Sequence, residues 1–299
     1  MKVYINGQFF KKEEAKISVY DHGFLYGDGV FEGIRVYKNK IFKLEEHMDR
    51  LYESAKTILL TIPVSKKELI EAVIASVLEN PYHDAYIRLV VTRGVGSLGL
   101  DPNQCSRPQI IIIVDKIALY SEETYQDGMH VITVATRRNW AEGVNPRVKS
   151  LNYLNNILAK IEALHAGYQE AIMLNQNGFV AECTGDNIFI LKQGKLMTPS
   201  LENGFLDGIT RNAVMDLALP LGFEVSAQTL SRHDLYNADE CFLTGTAAEV
   251  VPVVNIDGRV IGNGKPGSHT LAIAKAYKEL TAREGVMVRK SKIKNQNAK

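Results

Sequence analysis

Val148-Lys149-Ser150-Leu151-Asn152-Tyr153 joins a long loop to an amphipathic helical pattern, and the reading of its lysine decides how the rest of the chain is organised. Lysine ordinarily lives on a solvated surface. This one stands at a strand-to-helix junction, and no further charged residue follows until Lys160. An amine held in a cleft at such a junction is the nucleophile that carbonyl chemistry requires. An ordinary loop lysine satisfies the same six residues, so the neighbouring segments must separate the two readings.

Downstream, residues 154–166 carry Leu154, Ile157, Leu158, Ile161 and Leu164 at helical spacing, which predicts a helix with those residues facing inward. Strands are predicted at 170–174, 179–183, 187–191, 195–197, 223–227, 240–244 and 250–256, with helices at 210–219 and 269–284. Upstream of the loop lies a strand at 129–136. The apolar pattern breaks at 119–128. Before that break, Asn6-Gly7 marks a hairpin, and strand signals at 30–37 and 40–43 precede amphipathic helices at 44–59 and 66–79. Strands follow at 85–92 and 109–114, the second so rich in isoleucine that burial on both faces is predicted. Strands and helices mix without a regular βαβ alternation. The pattern predicts an α+β protein with antiparallel or mixed sheets: a first part at 1–118, a linker at 119–128, a larger second part at 129–287 and a basic flexible tail at 288–299.

Composition narrows the class. The 299 residues are 45% hydrophobic and 23% charged, with formal net charge +1. No global field favours nucleic acid or an anionic membrane, and no apolar run approaches a membrane span. Cys105, Cys183 and Cys241 are too far apart for a disulfide framework or a metal site. A cytoplasmic protein without a metal is expected. Gly94-Val95-Gly96-Ser97-Leu98-Gly99 satisfies a dinucleotide fingerprint, but no helical pattern starts inside it, and the fingerprint works only on a helix N-terminus. The stretch reads as a loop.

Four features after the linker suit a phosphorylated pyridine aldehyde. Lys149 supplies the amine. Glu182 is an acid inside a strand-like run, where it is either on the solvent face or paired with something such as a ring nitrogen. Gly208-Ile209-Thr210-Arg211 opens a helix, with Thr210 either capping it or binding phosphate alongside backbone N–H groups. Thr244-Gly245-Thr246-Ala247-Ala248-Glu249 ends a strand in small residues that can hold a second anion.

With these features, Tyr26-Gly27-Asp28-Gly29-Val30-Phe31-Glu32-Gly33-Ile34-Arg35-Val36-Tyr37, Glu46-His47-Met48-Asp49-Arg50-Leu51 and Tyr86-Ile87-Arg88 stand in order and spacing. Over residues 3–285 the chain resembles the fold-type IV pyridoxal-phosphate enzymes, of the D-amino acid aminotransferase-like fold, and among them the branched-chain amino acid aminotransferases. The resemblance implies pyridoxal 5'-phosphate as cofactor, with Lys149 capturing its aldehyde, Glu182 on the ring nitrogen and Tyr153 on the phenolic oxygen. Arg50, Ile209, Thr210 and Thr246 would hold the phosphate, with Leu206 and Gly245 also touching the cofactor. Thr246, Ala247 and Ala248 would receive the substrate carboxylate. Phe31, Tyr86 and Tyr153 would line the side-chain pocket, and Arg88 would accept a glutamate side chain. Tyr26 and Leu100 would enter from a neighbouring subunit, making a homodimer the minimal unit. The implied reaction moves an amino group between branched-chain L-amino acids and 2-oxoglutarate. D-amino acid aminotransferases and aminodeoxychorismate lyases share the fold and stay open as alternatives.

Overall fold

The computed structural model describes residues 1–288. The expected basic tail lies outside them except for Val288. In chain order the strands are β1 Lys2–Ile5, β2 Gln8–Lys11, β3 Gly29–Tyr37, β4 Lys40–Ile41, β5 Ala85–Thr92, β6 Gln109–Asp115, β7 Met129–Thr133, β8 Glu170–Leu174, β9 Val180–Cys183, β10 Asn187–Lys192, β11 Lys195–Pro199, β12 Glu224–Gln228, β13 Glu240–Gly245, β14 Glu249–Ile256, β15 Arg259–Val260 and β16 Val286–Met287. The helices are α1 His22–Tyr26, α2 Leu44–Thr57, α3 Lys66–Leu78, α4 Glu122–Asp127, α5 Leu154–His165, α6 Ile209–Ala218, α7 Arg232–Tyr236 and α8 Ser268–Arg283.

Among the described residues, one antiparallel sheet runs β16-β4-β3-β5-β6-β1-β2. A second, mixed sheet runs β12-β11-β10-β13-β14-β7-β8-β9, with β15 on β14. The architecture is α+β, as the element pattern predicts. The chain order does not divide cleanly between the sheets. Residues 286–287, expected in the second part, pair with β4 of the first sheet, and Val288 N–H donates to Asn39 O. The C-terminal end of α8 thus returns to the first sheet, and Lys40 Nζ reaches the carbonyls of Ala282 and Arg283.

Alternation within β3 sets up the site. Val30, Glu32, Ile34 and Val36 face the core under α2, whose Leu44, Met48, Leu51 and Ala55 are buried there, while Phe31 and Gly33 face a cavity. In β5, Ile87, Leu89 and Val91 are buried in the same core and Tyr86 and Arg88 point the other way. α3 is closed by a full capping box, Ser65 with Glu68. β6 departs from expectation: Ile110, Ile112 and Val114 are buried, but Ile111 and Ile113 are only half-buried. The sheet is antiparallel and packs its helices on one face, so alternation persists beneath the isoleucine run.

The larger correction concerns α5. Leu154, Ile157, Leu158, Ile161 and Leu164, expected to face inward, are all exposed, Leu154 to 67%. The helix instead docks through Asn156, Ala159 and Ala163, the two alanines packing on Ala171 and Met173 of β8. Small side chains let the helix axis approach the sheet closely, and the bulky face is turned out. The 94–108 loop carries only a 3₁₀ turn, Pro102–Gln104, so no α-helix starts inside its glycine motif.

Candidate active site

Lys149 belongs by sequence to the second part yet is stitched to the first sheet. Its carbonyl accepts from Phe31 N–H at 2.9 Å, its own N–H donates to Ser54 Oγ at 3.1 Å, and Leu151 N–H donates to Gly29 O. Val30 and Ser150 form an antiparallel bridge. The free edge of β3 is thereby closed by residues 149–151, and the lysine side chain enters the seam between the sheets. Its Nζ lies 3.1 Å from Tyr153 Oη and 4.6 Å from the centroid of the Phe31 ring.

The seam opens into a cavity of about 480 Å³, within the range of small-molecule sites. Lys149, Tyr153, Arg50, Glu182, Leu206, Ile209, Thr210, Gly245, Thr246, Ala247, Phe31, Tyr86 and Arg88 all line it. Three of the expected residues do not. Tyr26 and Leu100 lie on the surface, Leu100 82% exposed. Ala248 is buried in the second core, where its carbonyl accepts from Tyr125 Oη.

Arg50 is placed by two groups. Glu32 Oε1 and Oε2 accept from its Nε and Nη2 at 2.7 and 2.8 Å, and Asp207 O accepts from Nη1. His47 Nδ1 lies 2.7 Å from Glu32 Oε2. Burial alone would raise the Glu32 carboxyl, but Arg50 and His47 together hold it well below the usual carboxylate range. Burial pushes the His47 imidazole down. Beside Arg50, α6 begins at Gly208, which serves as its N-cap; Thr210 sits inside the first turn and is buried. Gly208 is tightly packed, since a Cβ there would meet Asn187 Oδ1 at 1.9 Å. An arginine and a ten-residue helix's N-terminus converging on one cavity suit a phosphate.

Glu182, on β9, is 5% exposed, and Arg138 Nε donates to its Oε1 at 2.6 Å. Its Oε2 has, among the described residues, a single long contact, Asn187 Nδ2 at 3.5 Å. Thr244 also lines the cavity, and its buried Oγ1 has no hydrogen-bond partner among the described residues. On the opposite wall the Arg88 guanidinium lies 4.4 Å from the Phe31 centroid and 5.7 Å from that of Tyr86. Gly33 makes room for Tyr86, whose Oη would lie 1.9 Å from a Cβ there.

Sequence reasoning assigns no role to Glu32, His47 or Arg138, and none to a second carboxylate cluster. Tyr120 Oη lies 3.1 Å from Asp186 Oδ2 and 3.3 Å from Glu170 Oε2. Glu170 is also held by Lys160 Nζ at 2.8 Å and by Thr184. Burial and the neighbouring Glu170 push the Asp186 carboxyl up to about 7. The available signal was acids in apolar runs, at Glu32 and Glu170, which need buried partners.

An amine, a buried carboxylate and an arginine beside a helix N-terminus meet in one cleft, the groups that pyridoxal-phosphate chemistry calls for. The sequence matches the family Amino-transferase class IV over residues 29–256, and the chain belongs to that family. It is 52% identical to a putative branched-chain-amino-acid aminotransferase of Methanocaldococcus jannaschii, over 96% of this chain and 99% of that protein. The Escherichia coli branched-chain amino acid aminotransferase structure superposes with a TM-score of 0.91 at 36% identity, covering 98% of this chain and 97% of that one. A T.th. branched-chain amino acid aminotransferase complexed with N-(5'-phosphopyridoxyl)-L-glutamate gives 0.89 at 39% identity, with 95% of each chain covered. The chain is an aminotransferase of the branched-chain type, and its cofactor is pyridoxal 5'-phosphate.

Proposed function

We propose that this protein catalyses reversible transfer of an amino group between the branched-chain L-amino acids leucine, isoleucine and valine and 2-oxoglutarate, giving branched 2-oxo acids and L-glutamate. The observation that carries the reading is one wall of the cavity. Phe31 and Tyr86 are apolar there, yet Arg88 lies over their rings. An aliphatic side chain can pack on the aromatic faces, and a carboxylate side chain can take the guanidinium. A pocket serving both half-reactions needs both properties.

When bound, pyridoxal phosphate supplies an aldehyde for the substrate amine and a pyridinium ring that accepts the electron pair left by the departing α-proton. In this reading Arg50, Ile209, Thr210 and Thr246 hold the phosphate, with Leu206 and Gly245 against the cofactor. Glu182 Oε2 keeps the ring nitrogen protonated, and Tyr153 Oη meets the phenolic oxygen. Thr246 and Ala247 offer backbone N–H groups to the substrate α-carboxylate. Lys149 Nζ would hold the cofactor's aldehyde and, as a neutral amine, would be the base that takes the substrate α-proton. Tyr153 Oη, 3.1 Å away, orients that amine.

The reading includes a homodimer or a larger homo-oligomer. Tyr26 and Leu100 are exposed and do not line their own cavity, and the bare apolar face of α5 is the kind of surface a second copy covers. Free thiols at Cys105, Cys183 and Cys241 support the cytoplasm as compartment. Turnover assays with L-leucine, D-alanine and aminodeoxychorismate test the choice within the fold. Activity on L-leucine with 2-oxoglutarate is expected; D-alanine turnover without L-leucine turnover would sink it.

A further inference from the structure

Three buried carboxylates share one side of the cavity: Glu170, Glu182 and Asp186, all under 6% exposed. Two cations face them. Lys160 pairs with Glu170 at 2.8 Å and Arg138 with Glu182 at 2.6 Å. Asp186 has Tyr120 Oη beside it and, among the described residues, no ion pair. Buried carboxylates this close cannot all stay ionised cheaply, so the cations decide where negative charge resides.

Arg138 does not line the cavity. Its side chain is 8% exposed, its Nη1 donates to Asn139 Oδ1 at 2.8 Å, and its backbone N–H donates to Leu174 O at the end of β8. It is therefore a rigid cation behind Glu182. We propose that Arg138 is a positioning residue for the reaction: it keeps the charge on Glu182 rather than on its neighbours and turns Oε2 into the cavity, so that the ring nitrogen of the cofactor holds its proton. The inference rests on Glu182 being the ring partner.

The test uses holoenzyme reconstituted with pyridoxal phosphate labelled with ¹⁵N in the ring, whose nitrogen resonance reports protonation directly. Wild type, Arg138→Lys, Arg138→Met and Glu182→Gln are titrated with pH. Wild type holds the protonated signal across neutral pH. Arg138→Lys, which keeps the charge with poorer geometry, loses it at lower pH, and turnover of L-leucine falls roughly tenfold. Arg138→Met and Glu182→Gln both give the unprotonated signal at neutral pH. A wild-type titration in Arg138→Lys overturns the proposal, whether or not Arg138→Met folds. An unchanged signal in Glu182→Gln overturns instead the reading of Glu182 on which it rests.

Discussion

Glu32 grips Arg50 through both carboxylate oxygens, at 2.7 and 2.8 Å, from the face of β3 opposite the one that lines the cavity. The strand thus acts on the site from both sides. Phe31 and Gly33 shape the pocket, while Glu32 reaches beneath to α2 and the Arg50 it carries. Replacing Glu32 by Gln leaves Arg50 buried with a neutral partner. Cofactor affinity is expected to fall roughly 10- to 100-fold, as it does when supporting hydrogen bonds around a bound group are cut. Equilibrium binding of pyridoxal phosphate measures it, and an unchanged dissociation constant refutes the role.

Lys149→Ala is expected to abolish the borohydride-stable cofactor adduct that wild type forms and to reduce turnover at least ~10³-fold, since the group that captures the aldehyde and moves the proton is gone. Tyr153→Phe removes only the hydroxyl beside Nζ and is expected to keep the adduct, with a loss of about tenfold. Mass spectrometry of the reduced protein locates the adduct; finding it on another lysine overturns the assignment.

Arg88→Gln separates the two substrates. A charge-assisted hydrogen bond contributes about 1.5–3 kcal/mol, so kcat/KM for L-glutamate and 2-oxoglutarate is expected to drop ~10- to 100-fold. The value for L-leucine should change by less than about threefold. Parallel losses for both would mean that Arg88 supports the wall without choosing between side chains.

Asp186 makes stability depend on pH. Its folded carboxyl sits at about 7, because burial and then Glu170 favour the neutral form, whereas an unfolded aspartate titrates near ~3.9. Between these values the folded state binds more protons. The stability from this group is therefore complete below about pH 4 and is lost as pH rises through about 7. Asp186→Asn mimics the neutral acid. Unfolding free energies from urea titration should be nearly equal at about pH 3.5 and should favour the variant at pH 8.5, by on the order of 2–4 kcal/mol. A difference independent of pH would exclude Asp186 as its source.

The exposed face of α5 predicts an interface. Leu158→Asp with Ile161→Asp, both exposed in the single chain, should leave the monomer fold intact and shift light-scattering mass to that of one chain. Activity should fall as the site loses its neighbour's Tyr26 and Leu100. A wild-type mass would place the subunit contact elsewhere.

How far residues alone reach can be judged from particular cases. Periodicity located α2, α3, α5 and α6 within two residues at either end, because the buried stripe of a helix is a local property of spacing. It failed on which side of α5 points inward. The helix presses alanines at 159 and 163 against β8, and a stripe of leucines looks the same whether a sheet or another molecule covers it. Gly208 and Gly245 were readable as a turn and a strand-end residue, but the close approach of Asn187 and Asp186 to them was not.

The order of elements, the α+β class, Lys149 at its junction and the chemistry of its companions were all present in the amino-acid string, since each is carried by residue type and short spacing. Folding alone decided which groups meet. Lys149 hydrogen-bonds across more than a hundred positions to β3, Glu32 turns to Arg50 by strand alternation, and Arg138 stands behind Glu182 across 44 positions. Partners that far apart are joined by sheet register and burial, because a buried charge must find its counter-charge wherever the chain brings one. The candidate amine was visible in the sequence; the ion pairs around its cavity were assembled only by the packed sheets.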